Sequence, residues 1–374
     1  MNSNKLLMLA VALLMFPQMA QTLYSPALSD IGHVFAVSPQ MAAQTMSVYF
    51  LAFACGVVVW GRVCDRIGRR PSILAGLTLY VLASGFALSV SSMRGLLMTQ
   101  ALAAFGAAVG SVVTQTLLRD RYQGLELAQV FSVVGIALAA SPAIGLFFGG
   151  SLVQGFGYRG VLAGLLILSL TLLLWSALIL PETRPQNITV PPLFDTLRRM
   201  LQDVSIWRAA LLVAMFNVAL FSYYSLGPFL FQRLGLGAEL FGYSGVILAL
   251  GSGLGAWLNK GLLKRGLGGK ELVALAAVVM LVGGVSVWLL QGRGWFVLPM
   301  LLVVLAFGMA IPNILGAALT NYGDCLGTAG ALFGLFYYLM IGTGLMLAAS
   351  SQNLGETLVV CGAVVMLLCW SGRR

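Results

Sequence analysis

Gly61-Arg62-Val63-Cys64-Asp65-Arg66-Ile67-Gly68-Arg69-Arg70-Pro71 decides how the rest of the chain is read. It carries four arginines and one aspartate, in a chain of 374 residues that is only 9% charged. Charge this dense does not lie in hydrocarbon, so the stretch marks a membrane face. The apolar runs on either side are each roughly 20 residues long, enough to cross a bilayer as a helix. The segment therefore reads as a short basic turn between two membrane-spanning helices.

Composition extends this reading to the whole chain. Hydrophobic residues make up 60% of it, and the mean hydropathy is +0.97. Soluble domains carry about 25% charged residues. Strict period-2 alternation is absent, which excludes a transmembrane β-barrel. The expected fold is an all-α integral membrane protein with twelve transmembrane helices. They fall near residues 6–28, 41–61, 72–92, 95–117, 128–152, 160–180, 208–232, 240–262, 271–290, 296–318, 328–350 and 355–371. The first run has one lysine and no clear small-x-small cleavage site, so it reads as a retained helix rather than a signal peptide.

On this map 17 of the 21 Lys and Arg residues fall on the side of the N-terminus, and four (Arg94, Arg159, Arg233 and Arg293) on the other. The positive-inside rule then puts both termini in the cytoplasm. Topology and lipid headgroups account for the net charge of +10, with no nucleic acid partner needed. The five cysteines show no metal-ligand spacing, a single histidine leaves no HExxH pair, and no cofactor is implied. A membrane enzyme or protease has nothing to support it, and a receptor lacks a signalling domain.

The longest polar stretch divides the chain into an N-terminal six-helix bundle (1–180), a cytoplasmic linker (181–207) and a C-terminal six-helix bundle (208–374). Prolines at 181, 185, 191 and 192 break helicity, but Phe194–Leu201 is amphipathic and predicts a short surface helix. Lys260-Gly261-Leu262-Leu263-Lys264-Arg265-Gly266 repeats the Gly-rich basic character of the Asp65 turn roughly 200 residues later, the mark of a duplicated transporter.

The Gly61–Arg70 stretch, read as G-x-x-x-D-R-x-G-R-R, resembles the signature loop of the major facilitator superfamily of secondary transporters. Gln18-Met19-Ala20-Gln21-Thr22-Leu23-Tyr24-Ser25-Pro26-Ala27, Leu118-Arg119-Asp120, Pro181-Glu182-Thr183-Arg184-Pro185 and Gly327-Thr328-Ala329-Gly330-Ala331-Leu332 resemble its Bcr/CflA-like drug-resistance branch, of the multidrug resistance protein D type. The resemblance implies a monomer in the bacterial inner membrane. It implies export of small, mostly apolar or amphipathic compounds by alternating access, driven by proton antiport. An exporter of one neutral metabolite (a sugar, nucleoside or amino-acid derivative) and a proton-uncoupled facilitator are the alternatives.

Where relatives carry an acidic residue before the Tyr-x-Pro pattern, this chain has Thr22. Where they carry arginines in the fourth span it has Gln100 and Gln115. The resemblance also implies a central cavity lined by spans 1, 4, 7 and 10. Gln18, Gln21 and Thr22 share one helical face of span 1, as do Asn217, Phe221 and Tyr224 in span 7. With Tyr24, Tyr49, Gln100, Gln115, Asn313 and Tyr337 they form the expected substrate cavity, neutral and aromatic. Multiply charged compounds would find no partner there. Asp30, beside the lone His33, is the sole marginal candidate for proton coupling.

For the basic turn the resemblance implies a gate. Asp65 is expected against the start of span 11 at Gly327 and Gly330, with Gly61 permitting close packing and Gly68 the turn. Arg66, Arg69 and Arg70 are placed to pair with Asp120 or Glu126.

Overall fold

The computed structural model describes residues 3–185 and 193–371, and every regular element among them is helical. Helix α1 (Ser3–Tyr24) passes through a 3-10 turn at Ser25–Ala27 into the short α2 (Leu28–Val34). There follow α3 (Pro39–Ile67), α4 (Arg69–Ser89), α5 (Met93–Arg121) and α6 (Gly124–Ile179). Past the linker come α7 (Leu193–Gln202), α8 (Val204–Arg233), α9 (Ala238–Lys264), α10 (Gly269–Leu290), α11 (Val297–Ala318), α12 (Leu326–Ser351) and α13 (Leu354–Ser371). Pro191 and Pro192 of the linker lie outside the described residues.

In hydrocarbon every backbone polar group must be satisfied within the protein, so these apolar sequences adopt helices. Starts are set by side chains that accept otherwise orphaned N–H groups. Ser38 accepts from Met41 N ahead of Pro39, Ser92 from Gly95 N, and Asp203 from Ser205 N. Among the described residues ten helices are long and apolar enough to cross a membrane, and Leu354–Trp370 is a shorter apolar one. An unbroken α6 of 56 residues would run about 84 Å, far more than the ~30 Å of a bilayer core. It is broken at Gly157, whose φ of +64° is non-helical.

Helix ends differ from the predicted spans because helices continue beyond the hydrocarbon wherever no residue stops them. The basic turn is the clearest case. Residues 61–67 form the last turns of α3, and 69–71 open α4. Gly68 alone separates them, at φ +108° and ψ 166°, a conformation open to glycine and closed to L side chains. The predicted loop is a one-residue hinge.

Helices α1 and α3–α6 pack chiefly on one another, and α8–α13 likewise. The two sets meet along α3 against α12 and α6 against α9. Glycines measure how these contacts change along the molecule. A Cβ on Gly342 would lie 2.7 Å from Leu51, one on Gly334 3.5 Å from Val57, and one on Gly61 3.9 Å from Ala331; at Gly327 nothing stands within 4 Å. Between α6 and α9, a Cβ on Gly242 would lie 2.8 Å from the Leu146 carbonyl and one on Gly245 3.1 Å from Ala143, while Gly135, Gly253 and Gly261 meet nothing. Both seams are tight at one end and diverge toward the end that carries Asp65. Polar contacts reinforce the tight end. Ser25 donates to Tyr224 O, Gln232 bonds both Ser29 and His33, and Gln40 donates to Ser350 at 3.3 Å.

Candidate functional site

Between the diverging seams lies a cavity of about 570 Å³. Among the described residues, no Asp, Glu, Lys, Arg or His lines it. One wall is a continuous aromatic surface from α3, α8 and α12. Phe50 sits edge-on to Phe221 with ring centroids 4.6 Å apart, and Phe53 edge-on to Tyr338 at 5.0 Å. Tyr49 stacks on Phe53 at 6.0 Å, and Tyr337 lies 4.4 Å from Tyr338. The Tyr49 hydroxyl is fixed by donation to Pro17 O at 3.0 Å. Offset and edge-on ring pairs of this kind add about 0.5–1.5 kcal/mol each beyond area burial.

The amides Gln18, Gln21, Gln115 and Asn217 supply the cavity's directional polarity. Gln21 is 3% exposed and lines the cavity, and its Nε2 has no hydrogen-bond partner. A buried donor left unpaired costs about 1–3 kcal/mol. Asn217 donates from Nδ2 to Val213 O at 2.8 Å, which turns its Oδ1 into the free end. The cavity therefore presents amide groups, the Asn217 acceptor among them, within an aromatic, uncharged surround.

Of the residues expected there, Gln18, Gln21, Tyr49, Gln115, Asn217, Phe221, Tyr224 and Tyr337 line this cavity. Four do not. Thr22 is fully buried against Gly145 of α6 and donates back to Gln18 O at 3.0 Å. Tyr24 lies buried beside Thr45 and Gln100, so Tyr24 and Gln100 come together in the core instead. Asn313 donates to Asn259 Oδ1 at 2.7 Å, tying α11 to α9. The lining also draws on α3, α6, α9 and α12, beyond spans 1, 4, 7 and 10. Phe50 and Phe53 were missed; their signal was a Tyr-Phe-x-x-Phe spacing on one face of α3.

Asp30 is not at the cavity. It is half-buried at the tight end, where its Oδ2 accepts from Tyr158 N at 2.6 Å, beside the break at Gly157. A carboxylate that caps the restart of α6 is occupied structurally.

The basic hinge builds the expected Arg69–Asp120 pair and, around it, a network that differs from the one expected. Arg69, with 4% of its side chain exposed, binds Asp120 Oδ2 through Nε at 2.7 Å and Asp65 Oδ1 through Nη1 at 3.2 Å. The same Nη1 donates to Cys64 O at 3.0 Å. These are the ion pairs found among the described residues, so neither Arg66 nor Glu126 joins them there. Asp65 turns to Arg69 rather than to Gly327, because the seams diverge at this end and leave Gly327 and Gly330 standing away from α3. Nor is Gly61 required for packing, since a Cβ there would meet only ordinary contacts at 3.6 and 3.9 Å.

Sequence reasoning gave Glu182 no part in this network. Its Oε1 accepts from Arg69 N at 2.9 Å and its Oε2 from Arg70 N at 3.2 Å, so it caps α4 from 113 residues away. It also accepts from Thr183 N and Arg184 N. Burial alone would raise its pKa, but these four donors outweigh burial and hold the carboxyl below its usual range. Thr183 Oγ1 completes the ring by donating to Asp120 Oδ2 at 3.3 Å. The second half carries its own lock. Arg199 of α7 lies 4.5 Å over the Tyr322 ring, and the Tyr322 hydroxyl donates to Asp203 Oδ2 at 3.0 Å. Burial, then the Asp203 carboxylate, pushes the Tyr322 hydroxyl up to about 12.

A neutral central cavity between two helix sets, with a charged hinge at its mouth, agrees with the family profile described as Major Facilitator Superfamily, which matches residues 8–345. The chain belongs to the Major Facilitator Superfamily. It is a transporter by family and not an enzyme. An uncharacterized transporter of Rickettsia bellii is 29% identical over 86% of this chain and 83% of that protein. Multidrug resistance protein D of Escherichia coli K12 is 28% identical over 99% of this chain and 95% of that protein. Sequence similarity thus falls in the drug-resistance branch of the superfamily, as the motifs implied. The crystal structure of a D-xylose-proton symporter shares the fold, with a TM-score of 0.81 over 98% of this chain and 96% of that one at 14% identity.

Proposed function

We propose that this superfamily member is a secondary active exporter of small, uncharged or weakly charged amphipathic compounds, aromatic ones above all, working by alternating access. The observation that carries the reading is the uncharged aromatic cavity lined by four amides, Gln18, Gln21, Gln115 and Asn217, the last with its oxygen end free. Such amides can meet a substrate's carbonyl, hydroxyl or N–H; a multiply charged solute would leave its charge unpaired in a low-dielectric site. The similarity to a multidrug resistance protein supports export, and supports it for several compounds rather than one.

In this reading the chain crosses the bilayer twelve times: the ten long helices, a second crossing from α6 across Gly157, and α13. The crossings form bundles over 1–180 and 208–374, joined by the linker 181–207 that carries α7. Both termini face the cytoplasm of a bacterial inner membrane, and a monomer suffices. The divergent end then faces the cytoplasm, so the conformation described is inward-facing.

Proton antiport is part of the proposal, with Asp30 its carboxylate candidate. A specific observation favours a second reading, a proton-uncoupled facilitator: among the described residues the cavity has no carboxylate to titrate. Efflux from membrane vesicles, with and without a pH gradient, over a panel of neutral aromatic amides, cations and dicarboxylates, tests both readings. Exporter function with the proposed site predicts that Gln21→Leu and Asn217→Leu each cut efflux of the amides severalfold. Unchanged efflux in both variants would remove the cavity assignment. Efflux indifferent to the gradient would select the facilitator.

A further inference from the structure

At the tight end, away from the central cavity, a second hollow of about 300 Å³ opens between the end of α8, the α10–α11 turn and the α12–α13 turn. Its apolar side is made of Leu226, Leu230, Leu234 and Leu354. Its polar side is unusual in being rich in donors. Gln291 accepts from Gly355 N through Oε1 at 3.1 Å, so the backbone fixes which way this amide faces and leaves its NH2 end without a protein partner among the described residues. Asn353 is fixed in the same way, since its Oδ1 accepts from Glu356 N at 3.2 Å. Arg233 is exposed, meets only the Gln352 amide oxygen, at 3.5 Å, and has no carboxylate partner among the described residues. The nearest acidic side chain in sequence, Glu356, is not part of the lining.

The level of the hollow is marked as well. Trp288 and Trp295, 49% and 69% exposed, flank the Gln291-Gly292 turn. Exposed tryptophans settle at the boundary between headgroups and acyl chains. A guanidinium and two NH2 groups at that depth, above four leucines, match one chemistry.

We propose that this hollow binds the acidic headgroup of an amphiphile, a phosphate or a carboxylate, with the adjoining apolar portion lying on the leucines. It is separate from the transport cavity and does not depend on what the protein carries. The same chemistry is found in an anionic membrane lipid and in a soluble amphipathic acid.

The test uses the full chain purified in a neutral detergent. Binding is read by native mass spectrometry and thermal shift with four probes: phosphatidylglycerol, phosphatidylcholine, dodecyl phosphate and inorganic phosphate. Wild type is compared with Arg233→Gln and with Gln291→Glu, which keeps the acceptor for Gly355 N while replacing the donor by a negative charge. The expected result is binding of phosphatidylglycerol and dodecyl phosphate in preference to phosphatidylcholine, weakened about tenfold or more in each variant, the scale of one charge-assisted hydrogen bond. Preference for phosphatidylglycerol over dodecyl phosphate assigns the site to membrane lipid; the reverse assigns it to soluble amphiphilic acids. Binding that is equal for phosphatidylcholine, matched by inorganic phosphate alone, or unchanged in both variants overturns the proposal. Because the wild-type selectivity among the four probes is itself decisive, the test stands even if one variant does not fold.

Discussion

Arg69 is the residue whose removal the structure prices most directly. Arg69→Met keeps the packing of the unbranched stem but deletes three bonds, to Asp120, Asp65 and Cys64 O. Two carboxylates are then left facing each other without a cation. Removing one partner of a fully buried pair costs about 3–5 kcal/mol. Here the arginine is 4% exposed but Asp65 and Asp120 retain 28% and 14%, so water recovers part of the loss. A destabilisation of about 2–3 kcal/mol follows, near the lower bound of that range. Arg69→Lys keeps the charge and loses the fork, so it falls between wild type and Arg69→Met. The assay is denaturant unfolding in detergent, extended to a double-mutant cycle with Asp120→Asn. The 2.7 Å pair predicts a coupling of about 1.5–3 kcal/mol. The network joins α3, α4, α5 and the segment after α6, none of it in the second helix set. The loss is therefore expected as instability and not as a change of access state. Disulfide trapping between cysteines substituted at Gln40 and Ser350 across the tight end reports the latter. Costs that simply add, or a wild-type unfolding curve with altered trapping, would refute this account.

Three further outcomes follow from neighbouring geometry. Gly68→Ala forces an L residue to φ +108° and sets a Cβ 2.3 Å from Glu182 Oε2, so a loss of about 1–3 kcal/mol in unfolding is expected, and full stability would contradict it. Glu182 has a folded pKa below the usual glutamate value of 4.5, so its capping contribution is present above that value and disappears as pH falls through the lower folded one; wild-type stability is expected to drop over that acid window more steeply than that of Glu182→Gln, and parallel profiles would exclude the cap. Gly242→Val pushes a side chain into the Leu146 carbonyl, 2.8 Å from where its Cβ would stand, so the tight end is expected to open, with slower Gln40–Ser350 trapping; unchanged trapping would mean that the α6–α9 seam is not part of the seal.

The fold and the cavity were legible in the sequence to different depths. Long apolar runs separated by basic turns were sufficient for the helices, because a bilayer permits little else. Gln18 with Gln21, and Asn217 with Phe221 and Tyr224, could be placed on faces because helical offsets do not depend on partners. Thr22 shares their spacing but lies one residue, about 100°, beyond Gln21, and that rotation carries it onto Gly145. Asn313 was unreadable for another reason: its partner Asn259 lies 54 residues earlier, and nothing local announces the bond. Glu182 was hidden in the same way, its donors being 112 and 113 residues before it. The expected contact of Asp65 with Gly327 belongs to an arrangement in which the diverging seams have met. One sequence encodes every conformation of a transporter and does not say which of them is being viewed.

The reach of Glu182 back to Arg69 and Arg70 also orders events during synthesis. The α3–α4 hairpin leaves the ribosome more than a hundred residues before the carboxylate that closes its turn. Until residue 182 emerges, the first turn of α4 has no acceptor for those two N–H groups, and Asp120 lacks its Thr183 donor. The chain's exit from its last early crossing is thus the event that completes the first half, and the nascent protein acquires a finished hinge only when the linker begins.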